Sequence, residues 1–351
     1  MTMGNSDDKN EKIRLTENTL ICFDRGSVYY MRQLSIIIPV YNVEKYISKC
    51  LHSILDNDYS YLNDVEIICI DDGSTDNSGG ICEAFAKKYR NVIVQHQSNR
   101  GVAAARNIGL SIACGKYIAW VDGDDYVEKE WLSTILTVIK NKSSDLILFD
   151  YYIDENKKNI EYKAPFTKNY VDVRDYIYEL SQEIYIHSYL WQYIMRRSVY
   201  NSKRFDETVL VQEDYRLLTV LALEIKSIYY CKKTLYHYVQ HKSSLTHHSV
   251  SLEMALDAIK NAKQRYDIFL ENGFNTSKVG YWRAILGNYF VLEKEMKQKD
   301  DVRCSVFCDM KRDFWSMIKS ERLTIRMKIK LLLILCLPSS WGLFVYRIFQ
   351  S

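Results

Sequence analysis

The sequence predicts an α/β fold: a mostly parallel, doubly wound sheet with helices on both faces, followed by a helical C-terminal region. Three observations predict it. From Leu34 onward, short uninterrupted apolar runs alternate with amphipathic stretches of helical period. Polar and acidic clusters fall directly after the apolar runs, at the strand ends where such sheets bind ligands. Beyond residue 150 the alternation gives way to mixed and then longer helical patterns.

Leu34–Val40 is a continuous apolar run, as in a strand covered on both faces. In Glu44–Leu55 the residues Tyr46, Ile47, Cys50, Leu51, Ile54 and Leu55 recur at helical spacing. Val65–Ile70 is a second strand, and Asp76–Tyr89 a helix that Asp76 can cap. Val92–Gln95 is a third strand. An Ala-rich helix, Val102–Ala113, ends near Gly115. Tyr117–Val121 is a fourth strand, Val127–Ile139 a helix and Leu146–Phe149 a fifth strand. Strands alternating with crossover helices imply a parallel sheet. Further on, Asp154–Asn169 reads as a polar loop and residues 172–201 as mixed helical. Val211–Leu223 reads as a helix, Ser227–Tyr238 as short strands, and Ser249–Phe269 and Val279–Gln298 as longer helices.

Composition narrows the function classes. The 351 residues are 47% hydrophobic, enough to fill a core, with a formal net charge of +3. That balance argues against nucleic-acid binding, which leaves a strong basic excess. Nine cysteines lack C-x-x-C pairs, the nearest being Cys304 and Cys308, which suits reduced thiols rather than a zinc site. Residues 1–18 have no apolar signal-peptide core. At the other end Arg322, Arg326, Lys328 and Lys330 precede Leu331–Leu337 and a second apolar group, Trp341 to Tyr346. Each run is shorter than the roughly 20 residues a membrane span needs. Basic residues beside Leu, Trp and Phe suggest a helix in the membrane interface; the alternative is a helix docked on the protein's own core.

Asp122-Gly123-Asp124-Asp125 follows the fourth strand. Three carboxylates in four residues repel one another and need a cation or raised pKa values. All-oxygen ligands suit Mg²⁺ or Mn²⁺, whose shell substrate phosphates usually complete. Alone, the motif is equally a solvated acidic turn. Asp71-Asp72-Gly73-Ser74-Thr75-Asp76 follows the second strand and opens a helix; it can cap that helix or accept hydrogen bonds from a base or ribose. No G-x-G-x-x-G follows the first strand and no G-x-x-x-x-G-K-[ST] occurs, against a dinucleotide oxidoreductase or a P-loop NTPase.

Read together, Ile38-Pro39-Val40-Tyr41-Asn42, Asp71 to Asp76, Asn99-Arg100-Gly101-Val102-Ala103-Ala104-Ala105-Arg106-Asn107 and Asp122 to Asp125 resemble, in order and spacing, glycosyltransferase family 2, the inverting GT-A transferases. The resemblance covers residues 34 to about 245. Trp191 to Arg197, Glu213-Asp214 and Tyr236 to Thr246 resemble the second half of bacterial members that build capsular and other surface polysaccharides. It implies a GT-A catalytic domain over 31–245, with a nucleotide-binding half (31–125) and an acceptor half (126–245). Residues 1–30 would be a flexible extension and 246–351 a helical region with a membrane-associating end.

The resemblance also implies roles. Pro39, Tyr41 and Asn42 would line the nucleoside pocket, and Asp71 would accept a hydrogen bond from uracil, with Asp72 beside it. Asn99, Gly101 and Arg106 would lie near base, ribose and phosphates. Asp124 would be the main ligand for Mn²⁺ or Mg²⁺, while Asp122 and Asp125 would contact metal, ribose or donor sugar, Asp122 towards ribose or metal and Asp125 towards the sugar. Asp214 would be the general base, with Glu213 as neighbour or substitute. His237 and His241 are candidates for a third metal ligand, and Trp191 for stacking on a sugar or packing in the core. The expected reaction moves a sugar from a UDP-sugar to an acceptor hydroxyl, on a lipid-linked glycan or oligosaccharide, at the inner face of the cell membrane. Gly123 sits where Ser is more usual. The Q-x-x-R-W segment and spans of processive synthases are missing, which favours single addition. Two other readings compete: a nucleotidyltransferase, which should carry a Gly-rich loop where Tyr41-Asn42-Val43-Glu44 stands, and a non-catalytic nucleotide-sugar-binding protein.

Overall fold

A computed structural model describes residues 32–336 apart from 57–58, 156–157, 210–211, 242–249 and 296–300, together with strand segments at 15–16, 19–24 and 27–30. Those segments, β1 (Leu15–Thr16), β2 (Thr19–Asp24) and β3 (Ser27–Tyr30), form a small antiparallel sheet of their own, within the stretch read as an extension. Residues 242–246 of the Tyr236 to Thr246 segment, and Trp341 to Tyr346, lie outside the described residues.

The main sheet has ten strands. Its parallel half comprises β4 (Leu34–Val40), β5 (Val65–Asp71), β6 (Val92–His96) and β7 (Tyr117–Trp120). Every residue of β5 is buried, as are all of β4 except Pro39, which is why these strands read as unbroken apolar runs. Between them run α1 (Ile47–Leu55), the short α2 (Tyr59–Leu62), α3 (Ser78–Lys88) and α4 (Val102–Ile112). Helix α1 buries Ile47, Cys50, Leu51, Ile54 and Leu55, the stripe its spacing predicts.

The second half departs from the sequence reading in four places. Residues 126–127 form a short strand, β8 (Tyr126–Val127), on Tyr236 and His237, so the next helix, α5, spans Trp131–Lys142. The fifth strand, β9, runs over Leu146–Glu155 and turns back into β10 (Lys158–Tyr162), so the expected polar loop is a hairpin. All of β10 is exposed, and a strand without a buried face shows no apolar alternation. After β11 (Tyr170–Val171) and α6 (Val173–Gln182), a 3₁₀ turn at Leu190–Gln192 leads into β12 (Tyr193–Arg196). This four-residue strand inserts antiparallel between β7 and β9 and is followed by α7 (Arg197–Tyr200). Helix α8 (Glu213–Ala222) precedes one long strand, β13 (Ile228–Val239), irregular near Cys231–Tyr236, where several short strands were expected. The order is β11-β13-β9-β12-β7-β4-β5-β6, with β10 on β9 and β8 on β13. Because β13 and β9 run parallel, their C-terminal ends share an edge with the start of β12.

The C-terminal helices are α9 (Leu252–Glu271), α10 (Val279–Glu295), α11 (Asp301–Lys319) and α12 (Ile325–Cys336). They build a second apolar core around Ile259, Trp282, Ile285, Met310, Met317 and Leu331, which Tyr215 of α8 joins. Each fully buried aliphatic side chain there adds about 1.5–3 kcal/mol. The opposite side of α12 exposes Ile325, Ile329 and Leu332, one stripe at helical spacing. No helix among the described residues is long and apolar enough to cross a membrane.

Candidate active site

Three loops meet beyond the C-terminal ends of β4, β5 and β7. After β4, Asn42 is left-handed (φ 52°), a conformation Asn tolerates. Its side-chain oxygen accepts from the Thr75 N–H at 2.8 Å, and its own N–H donates to Ser74 Oγ at 3.1 Å. Tyr41 beside it is exposed, and Pro39 is half-buried. After β5, Asp71 accepts from the Ser74 N–H at 3.0 Å and pairs with His96 Nδ1 at 2.8 Å. Burial pushes the Asp71 carboxyl up, but the bonds from Ser74 and His96 outweigh it and hold the group below its ordinary range. His96, which also meets Glu83, is raised by those two carboxylates.

Asp72 is held by the loop that follows β6. One oxygen accepts from Gln97 Nε2 at 2.6 Å and the Arg100 N–H at 2.8 Å, and the other from the Gly101 N–H at 2.8 Å. Asp72 therefore shapes the Asn99-Arg100-Gly101 loop. Gly73 (φ 70°) packs against that loop: a Cβ on it would lie 2.7 Å from the Asn99 nitrogen. His96 and Gln97 were not singled out in the sequence; their position at the end of β6, on the same edge as Asp71, was the available signal.

The acidic centre lies at the end of β7, on the other side of β4 from β5. Tyr236 Oη accepts from the Asp122 N–H at 3.1 Å and donates to Asp125 at 2.7 Å. The other Asp125 oxygen accepts from the Val239 N–H at 2.8 Å. Both oxygens of Asp125 are thus engaged in the fold, which leaves it poorly placed for the donor-sugar contact the resemblance implied. Burial, Asp124 and Asp122 push the Asp125 carboxyl well up. Asp122 is raised mainly by burial, against the pull of Arg106.

Arg106 joins this motif to α8. Its guanidinium bonds Glu213 closely and reaches Asp122 at 3.4 Å, with its side chain only 9% exposed. Next to Glu213, burial and the Glu213 charge push the Asp214 carboxyl up to about 7. One cation serves three nearby carboxylates, so their charge is incompletely offset. The N-terminus of α8 is fixed in turn. Gln212 caps it in a left-handed conformation (φ 64°) and accepts from Asn261 Nδ2 of α9 at 3.3 Å. Fully buried Arg265 of α9 donates to Thr219 Oγ1 at 2.8 Å, the Tyr215 carbonyl at 2.7 Å and Ser188 Oγ at 2.8 Å. Its guanidinium lies 3.3 Å from the centre of the Tyr215 ring. The second core thereby holds the helix carrying Glu213 and Asp214.

The residues fit a divalent cation in a limited way. Asp124 Oδ2 and His241 Nε2 lie 2.8 Å apart, and Tyr46 stacks on the His241 ring at 4.6 Å. A carboxylate with an imidazole suits Mn²⁺. Among the described residues no three His, Cys, Asp or Glu side chains form a ready-made cage. His237 is committed elsewhere: Glu128 takes Nε2 at 2.8 Å and Asp154 takes Nδ1 at 3.1 Å, with Tyr126 and Tyr152 stacked on the ring. Trp191, stacked by Tyr236 at 4.5 Å and Tyr189 at 5.0 Å, is 4% exposed, which makes it core and not a sugar platform.

The glycosyl transferase family 2 model matches residues 35–206, from β4 through the whole donor edge. The chain is similar to glycosyltransferase GlyG of Streptococcus pneumoniae serotype 4, 35% identical over 187 residues. That match covers 53% of this chain and 56% of GlyG, so the chain spans a little over half of that relative's length. Its fold is similar to S. aureus TarS 1–349 in complex with UDP-GlcNAc (TM-score 0.61, 22% identity, 82% of this chain and 84% of that one). It is also similar to a mannosyltransferase from Pyrobaculum calidifontis in complex with GDP-Man and Mn²⁺ (TM-score 0.51, 14% identity, 90% and 88%). The fold is GT-A, and residues 35–206 of this chain form a glycosyl transferase family 2 domain.

Proposed function

We propose that the chain is an inverting, metal-dependent glycosyltransferase that moves a sugar from a UDP-sugar to an acceptor hydroxyl on a lipid-linked glycan in surface-polysaccharide synthesis. The observation that carries this reading is Asp214: a carboxyl pushed up to about 7 and wired through Glu213 and Arg106 to the Asp122–Asp125 motif. A group of that pKa is matched to proton abstraction near neutral pH. Asp214 takes the acceptor proton as the hydroxyl oxygen bonds the anomeric carbon, and the bond from that carbon to the diphosphate oxygen breaks. One in-line displacement inverts the carbon, so an α-linked donor yields a β-linked product. Asp124, with His241 beside it, would hold Mn²⁺ or Mg²⁺, which when bound offsets the charge developing on the leaving diphosphate. Asp71 and the loop shaped by Asp72 would receive the nucleoside, and the UDP-GlcNAc complex of TarS supports a UDP-sugar.

The test is a screen of nucleotide sugars with Mn²⁺, read as nucleotide release. One UDP-sugar should be turned over by the wild type and lost in Asp124→Ala. A screen in which Asp124→Ala and Asp214→Asn both kept full turnover would leave the assignment without support.

The exposed Ile325, Ile329 and Leu332 stripe beside Arg322 and Arg326 supports peripheral contact with a membrane face. Removing residues 322–351 should release the protein from anionic vesicles; sedimentation unchanged by the truncation would refute that contact.

A further inference from the structure

Two carboxylates adjacent in the chain, Asp206 and Glu207, reach in opposite directions, one to the helix of the general base and one to the donor loop. They lie on residues 201–209, between α7 and α8. That segment docks on the core at Phe205, which is buried and meets Trp120 of β7 edge-on (5.3 Å, 87°), with the Arg106 guanidinium 5.6 Å from its ring centre. The Asn107 side chain of α4 brackets the Phe205 backbone. Its Oδ1 accepts from the Phe205 N–H at 2.8 Å, and its Nδ2 donates to the Phe205 carbonyl at 3.0 Å.

From this anchor Glu207 reaches the donor side. Its Oε1 accepts from Asn107 Nδ2 at 2.9 Å and its Oε2 from Arg100 Nη2 at 2.7 Å. Arg100 is the residue whose backbone N–H Asp72 holds. Asp206 reaches the other way. One oxygen accepts from the Thr208 N–H at 3.0 Å and from its hydroxyl at 2.5 Å, and the other from Arg216 Nη1 of α8 at 2.7 Å. Arg216 stands on the same helix as Asp214 and just after it. Both ion pairs are open to solvent, with side chains 54% and 37% exposed in the first and 27% and 43% in the second. Pairs so exposed add little to stability. What they tie together is two parts of the site that come from distant stretches of the chain.

We infer that Asp206 and Glu207 are positioning residues, a bridge that sets α8, and with it Asp214, against the Asn99-Arg100-Gly101 loop. The inference deepens the proposed function and rests on it, since there Asp214 takes the acceptor proton while the donor lies at that loop. An in-line displacement tolerates little error: a shift of about 1 Å costs about 10²-fold in rate. Arg265 and Gln212 hold α8 against the second core, and the Arg106–Glu213 pair ties it to the acidic centre. The bridge adds the donor loop as a third reference. Both carboxylates spend their oxygens on the protein, so their loss acts through the placement of Asp214.

The test is UDP release by the full chain from UDP-glucose, UDP-galactose and UDP-GlcNAc with Mn²⁺, beside UDP affinity from titration calorimetry and Tm from thermal scans. Asp206→Ala, Arg216→Ala and Glu207→Ala should each lose about three- to tenfold in kcat, part of what a displacement of about 1 Å costs. UDP affinity should stay within about twofold and Tm within about 2 °C, as for exposed pairs. Asp206→Ala combined with Arg216→Ala should lie within about twofold of either single change, because both remove the same bond. Arg216→Lys, which keeps a donor for Asp206, should recover at least about half of the wild-type kcat. The acid limb of the pH profile should stay in place, since burial, Glu213 and Arg106 set the Asp214 carboxyl. Wild-type kcat in Asp206→Ala and Glu207→Ala would overturn the inference. So would an Arg216→Lys variant as slow as Arg216→Ala, or a loss of UDP affinity that matches the loss in kcat/KM. Asp214→Asn, assayed alongside, separates the two failures. Full turnover there counts against the proposed function, whereas an inactive Asp214→Asn with wild-type rates in the bridge variants overturns the bridge alone.

Discussion

The carboxylates after β5 and those beside Arg106 share one sheet edge but face opposite surroundings. Asp71 and Asp72 accept from backbone N–H groups and from His96 and Gln97, so their charge is matched bond by bond. Burial raises Asp122, Asp125 and Asp214, and nearby carboxylates add to it: Asp124 and Glu213 at Asp122, Asp124 and Asp122 at Asp125, and Glu213 at Asp214, with Arg106 the cation shared by Asp122, Glu213 and Asp214. The first set holds a loop in shape; the second holds proton affinity in reserve. A binding surface needs fixed acceptors, whereas a general base works best with a pKa near the working pH.

If that contrast governs function, Asp214→Asn is the most damaging change. It keeps the shape and removes the base, so kcat should fall about 10²–10⁴-fold. Donor affinity, measured by UDP-sugar titration, should hold. A loss confined to donor affinity would place Asp214 with the binding carboxylates.

Arg106→Gln tests the wiring. It strands Glu213 and Asp122 without their cation, and breaking a buried pair costs about 3–5 kcal/mol in stability. Because Arg106 lowers the Asp214 pKa, its loss raises that pKa further. The acid limb of kcat/KM, expected near pH 7 in the wild type from the Asp214 carboxyl, should therefore move to higher pH. A stationary limb would mean that another group sets the profile.

Tyr236→Phe should come next in size. The ring stays on Trp191, but the Asp122 N–H and one Asp125 oxygen lose their partner, a loss of about 1–3 kcal/mol. Denaturant unfolding measures it, and KM for Mn²⁺ should rise as the Asp122–Asp125 turn loosens. Unchanged KM would assign the hydroxyl a purely structural part.

What the chain announces in its own order is what depends on short-range pattern. Strands β4, β5 and β7 read as apolar runs because the sheet covers them on both sides. Asp122 to Asp125 and Glu213-Asp214 stand out because their residues are adjacent. What escaped depends on distant pairing. Strand β10 is polar and exposed, and only its register with β9 makes it a strand. Asp72 looks like Asp71 in the sequence, and only the fold turns its oxygens toward Arg100 and Gly101. In sequence Trp191 suits sugar or core equally, because Tyr236, the ring that covers it, comes from another strand. Arg265 gave no local sign of its role, since its partners Thr219, Tyr215 and Ser188 lie on other segments.

The smallest expected effect sharpens the bond-matched side of the comparison. His96 is about half exposed, and its pKa is raised by Asp71 and Glu83. A group raised on folding contributes stability in full below its unfolded value, and loses it as pH rises through the folded value. The wild type should therefore lose a little stability just above the ordinary histidine range, well under about 1 kcal/mol for so exposed a pair. His96→Gln keeps a hydrogen-bond donor for Asp71 but cannot titrate. Because Asp214 titrates in both proteins, the quantity to measure is the difference between their unfolding midpoints from pH 6 to 9. That difference should shrink as pH rises, with donor KM following the same course. A difference constant across the range would mean that Asp71 is held by Ser74 and the backbone alone, with the imidazole acting only as a neutral donor.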